Sequence, residues 1–160
     1  MKTTKWMVLG AAIAALACIS APSALASDAH TLLTADEIKW LPGPPSIQPG
    51  AQAAVLYGNP GKEGMFALRL KLPKGYRIAP HTHPKPEIVT VISGTARLGM
   101  GTSGDPTTAK VLPAGSFFAL SPGMAHYFST DDETVIQLNS TGPWTLNYVN
   151  PKDDPRAKKQ

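Results

Sequence analysis

In the stretch "GYRIAPHTHPKPEIVTVISG" (Gly75–Gly94), two histidines stand two residues apart and a glutamate follows four residues after the second. Neutral imidazole with carboxylate is a donor set for Fe, Mn, Zn, Ni or Cu, and not for calcium, which takes oxygen ligands. In an extended strand, residues two apart share a face. His81 and His83 therefore present their rings together while Thr82 points away. "PKP" (Pro84–Pro86) cannot continue a hydrogen-bonded ladder, so the chain turns there. Glu87 opens the next strand, and an antiparallel return is expected to bring its carboxylate beside the imidazoles. The expected further ligand is His126, which begins a strand in "SPGMAHYF" (Ser121–Phe128) after a Pro-Gly turn. The remaining histidine, His30, lies near the expected mature terminus and is set aside. The competing reading is a surface hairpin whose histidines bind nothing.

The elements that must hold these residues read as strands. "FALRLKL" (Phe66–Leu72) alternates, with Phe66, Leu68, Leu70 and Leu72 on one face, as a half-buried strand does. "EIVTVIS" (Glu87–Ser93) and "TARLGMG" (Thr95–Gly101) flank Gly94 and are expected to form a hairpin. Further strands are expected in Thr107–Leu112, twice within Pro113–Ser129, in Glu133–Asn139 and in Trp144–Val149. Some eight short strands separated by turn residues predict an all-β sandwich or barrel. Before them, "TADEIKW" (Thr34–Trp40) predicts a short helix capped by Thr34 and Glu37. "LPGPPSIQPG" (Leu41–Gly50) ends it in irregular chain. The region is read as a wrapped arm without chemistry.

Gly75, His81, His83, Glu87 and Gly94 fit the first motif of the cupins, G-x5-H-x-H-x3-E-x6-G, at every specified position. Gly115, Pro122, Gly123 and His126 resemble the second motif, with Pro122 directly before Gly123 and Thr130 in place of the usual asparagine. The chain thus resembles a single-domain cupin over about residues 53–149. The resemblance implies a double-stranded β-helix, or jelly roll, with one divalent transition metal inside, held by His81, His83, Glu87 and His126. It implies metal-dependent chemistry of the kind cupins perform: dioxygenases, oxalate-degrading enzymes, isomerases and lyases share this shape, so the fold does not choose among them. An O2-using enzyme acting on a small organic molecule is the reading preferred. A metal-dependent ligand-binding or sensing module is the alternative, since the chain also broadly resembles the cupin-like lobe of zinc-dependent anti-sigma factors. The resemblance also suggests a homodimer.

Within the expected pocket, Glu87 is the candidate catalytic base, should it leave the metal during turnover. Val89 and Val91 follow it on the inner face by alternation, and His126 with Phe128 points inward while Tyr127 points out. Arg77, Phe118 and Gln137 are the candidate substrate contacts, with Met100, Asn139 and Trp144 as further possible lining. Arg77 stands four residues before His81, on the same face by parity, where a cation would hold a carboxylate.

Residues 1–26 read as a signal peptide. Lys2 and Lys5 precede the apolar run Trp6–Ile19, and Ala24 and Ala26 offer a small-residue cleavage site. Export to the periplasm or beyond is expected, leaving an arm (27–52), the barrel (53–149) and a polar tail (150–160). An uncleaved anchor, or lipid attachment at Cys18, is the alternative. Cys18 is the one cysteine, so the mature chain would form no disulfide and use no thiolate. The net charge of +4 falls to +2 without Lys2 and Lys5, and the charges are scattered. That argues against nucleic acid or membrane as a partner and for a small molecule.

Overall fold

Alternating apolar residues close the chain into two facing antiparallel sheets. The computed structural model describes residues 30–158, so the expected signal peptide lies outside the described residues. Residues from Thr31 onward form one compact unit. The strands are β1 (Leu41–Pro42), β2 (Gln52–Tyr57), β3 (Gly64–Leu72), β4 (Arg77–Thr82), β5 (Glu87–Ser93), β6 (Thr95–Met100), β7 (Lys110–Pro113), β8 (Phe117–Leu120), β9 (His126–Thr130), β10 (Thr134–Gly142) and β11 (Asn147–Tyr148). One sheet runs β1-β2-β3-β10-β5-β8 and the other β11-β4-β9-β6-β7, the arrangement of a jelly roll.

The core is the sum of the inward faces. Phe66, Leu68, Leu70 and Leu72 of β3 are buried, and Leu138 of β10 stands between Leu68 on one side and Val89 of β5 on the other. Ile78 and Phe128 meet them from the opposite sheet, in register with one another. On the outer face of that sheet, Tyr127 is buried too. Its ring lies over Gly99, its register partner, and its hydroxyl bonds to the Asp105 carbonyl and the Thr108 hydroxyl.

Three expectations are corrected. The strands β5 and β6 do not pair with each other; Gly94, with a φ of +78°, carries the chain from one sheet to the other. β4 and β5 likewise belong to different sheets, so no hairpin joins the histidines to Glu87. Thr34–Trp40 is a turn, not a helix. The Thr34 N–H donates to the Glu37 carboxylate as in a capping box, but no helical ladder follows. The segment is too short and too exposed to repay helix nucleation. The polar tail carries 3-10 turns at Pro151–Asp153 and Pro155–Lys158, with Pro155 buried and most of the other described residues exposed.

Candidate metal centre

His81 lies near the end of β4 and pairs with His126, the first residue of β9, in the same sheet. His83 follows two residues on, just past the strand, where its carbonyl accepts the Gly123 N–H. Glu87, the first residue of β5, reaches the same point from the facing sheet. All four are buried, with exposures of 2% for His81 and His126, 5% for His83 and 7% for Glu87.

One nitrogen of each ring is already engaged. Nδ1 of His81 lies 2.8 Å from the Ala79 carbonyl, that of His83 2.8 Å from the Thr145 carbonyl, and that of His126 3.0 Å from the Met124 carbonyl. A carbonyl only accepts, so each Nδ1 carries the proton and, in the neutral ring, each Nε2 keeps its lone pair. Ligating nitrogens of the three histidines lie within 4.8 Å of one another. Oε2 of Glu87 is 3.0 Å from His126 Nε2, and Oε1 is 3.7 Å from His83 Nε2.

The 3.0 Å contact is not a hydrogen bond. Among the described residues, the buried side-chain atoms with no hydrogen-bond partner are His83 Nε2 and Glu87 Oε2. Buried polar atoms are rarely left so. Here both belong to one cluster of three imidazoles and a carboxylate. A divalent transition metal satisfies them, so the residues present fit the group the motifs imply. Electrostatics agrees with neutral rings. Burial pushes the His81 imidazole down to about 3, assisted by His126 and opposed by its bond to the Ala79 carbonyl. Burial lowers His83 too, against the pull of Glu87.

The cluster lies in the wall of a cavity of about 500 Å3, within the range of small-molecule sites. Leu68, Leu70, Phe118, Phe128, Ile136 and Leu138 supply much of the remaining wall. Trp144 stacks on the His83 ring, 4.0 Å between centroids and 17° between planes, and meets Phe66 edge-on.

Of the candidate contacts, Phe118 and Trp144 line the cavity; Arg77, Gln137, Met100 and Asn139 do not. Arg77 is exposed because the register of β4 against β9 slips between Ile78 and His81. The extra residue breaks the parity, and Ile78 takes the inward position. Gln137 faces out, where its side-chain oxygen accepts from Arg69 Nε at 3.1 Å. Conversely, the arm read as inert supplies Lys39, Leu41, Pro42, Pro44, Ser46 and Ile47 to the cavity wall. The available signal was Ile47, an isolated large apolar residue within a proline-rich run. The three carbonyls that set the histidine tautomers carry no sequence signal at all, because any residue has one.

Residues 10–147 match the family described as Domain of unknown function (DUF4437). The chain belongs to this family. No curated protein matches its sequence. Among solved structures, it is similar to the polyketide cyclase RemF from Streptomyces resistomycificus, at 16% identity and a TM-score of 0.62, over 79% of this chain and 90% of that one. It is similar to an acetylacetone dioxygenase from Acinetobacter johnsonii, at 18% identity and a TM-score of 0.59, over 80% and 82% of the two chains. An RmlC-like cupin from Shewanella frigidimarina aligns at 18% identity and a TM-score of 0.55, over 71% of this chain and 91% of its own. At such identities the likeness concerns the fold, and the fold is a cupin.

Proposed function

We propose that this protein is a metal-dependent oxidoreductase of dioxygenase type whose substrate is a small, largely apolar organic molecule. One divalent transition metal would be held by His81, His83, Glu87 and His126. The observation that carries the reading is the placing of those four buried side chains, two with unsatisfied atoms, in the wall of a cavity otherwise largely apolar. A redox-active metal in such a site supplies Lewis acidity and electron transfer toward oxygen. Similarity to an acetylacetone dioxygenase supports the oxygen-dependent class.

The side chains of the cavity define what else the site does. Phe118, Leu68 and Leu138 exclude water and offer dispersion contact to an apolar body. Besides Glu87 and the histidines, Lys39 is the one charged side chain lining the cavity among the described residues, and it is exposed. A substrate carboxylate deep in the cavity would find no cation there apart from the metal. The reading therefore favours neutral substrates that ligate through a polar end and bury an apolar one. Glu87 is the one carboxylate positioned to accept a proton there.

The test is metal analysis of untagged protein purified without chelator, followed by oxygen uptake with small aromatic and dicarbonyl compounds. Stoichiometric Fe, Mn or Cu with metal-dependent oxygen consumption is expected. Stoichiometric zinc with no consumption across the panel would replace the enzyme by a ligand-binding module. We also propose export, on the strength of Lys2, Lys5, the apolar run Trp6–Ile19 and the alanines at 24 and 26. N-terminal sequencing of protein from a periplasmic extract should begin at Ser27; an intact Met1 would remove this claim.

A further inference from the structure

The ring of His83 depends on a segment with no ladder of its own. Trp144, Thr145 and Leu146 lie between β10 and β11 in irregular chain, yet Trp144 stacks on the His83 ring and the Thr145 carbonyl holds its Nδ1–H. Irregular backbone must find its hydrogen bonds elsewhere. The Trp144 N–H donates to the Pro60 carbonyl at 2.7 Å. The Leu146 carbonyl accepts from Arg156 Nη2 at 2.8 Å, and Arg156 Nη1 reaches the Thr145 hydroxyl at 3.4 Å. Arg156 is in turn held by Asp154, whose two carboxylate oxygens accept from Nε at 2.8 and 3.1 Å, with a further bond from Nη2 at 2.7 Å. Between the two, Pro155 is buried, which fixes the 3-10 turn that carries them.

A path of direct contacts thus runs from the C-terminal turn to a ligand of the candidate metal centre. Resting on the metal-binding reading, we propose that Arg156, oriented by Asp154, is a positioning residue for His83. The guanidinium fixes the Thr145–Leu146 backbone. That backbone holds the His83 proton on Nδ1 and leaves the Nε2 lone pair directed at the metal. A partner bonded directly to a ligand, here the Thr145 carbonyl, commonly matters about 10–100-fold in metal affinity, and Arg156 acts on it one bond further out.

The molecule contains its own control. Arg97 and Asp131 form a pair with the same 2.7 Å contact and a similarly exposed arginine, 35% against 39% for Arg156, although Asp131 is more open than Asp154. Neither Arg97 nor Asp131 bonds to the segment that holds His83. Exposed pairs as such contribute little, so any difference between the two reports position.

The experiment uses the full chain stripped of metal, titrated calorimetrically with Zn2+, and 15N-detected imidazole spectra of the same metal-free samples. Arg156→Ala should weaken Zn2+ binding by about tenfold, the lower end of the range for partners of metal ligands. It should also convert His83 from one tautomer to a mixture while His126 stays as it was. Arg97→Ala should change neither. Asp154→Asn, which frees the guanidinium without deleting it, should give a smaller change in the same direction and serves if Arg156→Ala does not fold. Equal affinity in wild type and variant, with His83 remaining a single tautomer, would overturn the proposal. If wild type itself takes up no metal, the metal-binding reading fails, and the tautomer of His83 still decides whether Arg156 positions it.

Discussion

Glu87→Gln should have opposite effects on the metal-free and metal-loaded protein. The Glu87 carboxylate is 7% exposed, and its Oε2 has no hydrogen-bond partner although His126 Nε2 is 3.0 Å away. A buried polar atom left unsatisfied costs about 1–3 kcal/mol, and more when it is charged. Glutamine has nearly the same shape and removes the charge, so the metal-free variant should be more stable than wild type by about 1–2 kcal/mol. For a domain of this size that raises the melting temperature by roughly 4–8 °C. Metal reverses the order. A metal at 100 times its dissociation constant stabilises wild type by about 2.7 kcal/mol, or roughly 10 °C. If the variant binds about 100-fold more weakly, the same free metal stabilises it by only about 0.4 kcal/mol. Melting curves of both proteins, after chelator treatment and again with excess Mn2+ or Zn2+, measure all four states. A metal-free variant less stable than metal-free wild type would show that the carboxylate is satisfied without metal. An undiminished gain on adding metal would show that Glu87 is not a ligand.

Three further outcomes follow from the same geometry. Leu72 is fully buried away from the cavity, whereas Leu138 lines it. Leu72→Ala should therefore leave a closed void and cost about 4–5 kcal/mol, while Leu138→Ala, whose void merges with the cavity, should cost about 3 kcal/mol; equal costs in urea unfolding would contradict the cavity assignment. The folded His81 imidazole is held at about 3, so below its ordinary range the unfolded chain takes up a proton that the folded chain refuses. The His81 contribution to metal-free stability should accordingly fall by about 1.4 kcal/mol for each pH unit from about pH 6 to pH 4, and urea titrations showing no slope removed by His81→Asn would refute it. At position 99, a Cβ would stand 1.8 Å from Tyr127 Cζ, so Gly99→Ala should displace the ring from its bonds to Asp105 and Thr108 and cost about 1–3 kcal/mol. Unchanged stability and unchanged Tyr127 ring NMR shifts would show that the ring has room to move.

The histidines of the candidate metal centre were legible because they obey a local rule that the fold preserves, whereas Glu87 reaches them from the other sheet. His81 and His83 are two apart, and both rings come to the same cluster. The same parity failed four residues earlier, at Arg77, where one inserted residue turns Ile78 inward instead. Pro80 was the available warning, since a proline within a strand is found at edges and bulges. Sheet membership was not legible. Gly94 between two strands has the local pattern of a hairpin, and only the packing of Val89 and Val91 against Leu138 and Ile136 assigns β5 to a different sheet from β6. The order of the C-terminal turn was not legible for a related reason. Its composition is that of a solvated end, and its order comes from one buried proline and from the Leu146 carbonyl that Arg156 reaches ten residues back.

That division has a consequence for how the site is held. His81 and His126 come from one sheet and Glu87 from the other, so a metal bound by all of them would cross-link the two halves of the sandwich. The candidate ligands on β4 and β9 are fixed by ladder hydrogen bonds on both sides, β4 between β11 and β9, and β9 between β4 and β6. His83 lies beyond the strand and has no such ladder; its support is Trp144, Thr145 and, through them, Arg156. It is therefore the candidate ligand whose geometry is set farthest from the two cupin motifs. Part of the cavity wall is set farther away still, by Leu41–Ile47 of the arm, where three closely spaced prolines limit the conformations the wall must give up on folding. Metal affinity should thus follow changes in the C-terminal turn, and substrate size should follow changes in the arm, with the motif residues themselves untouched.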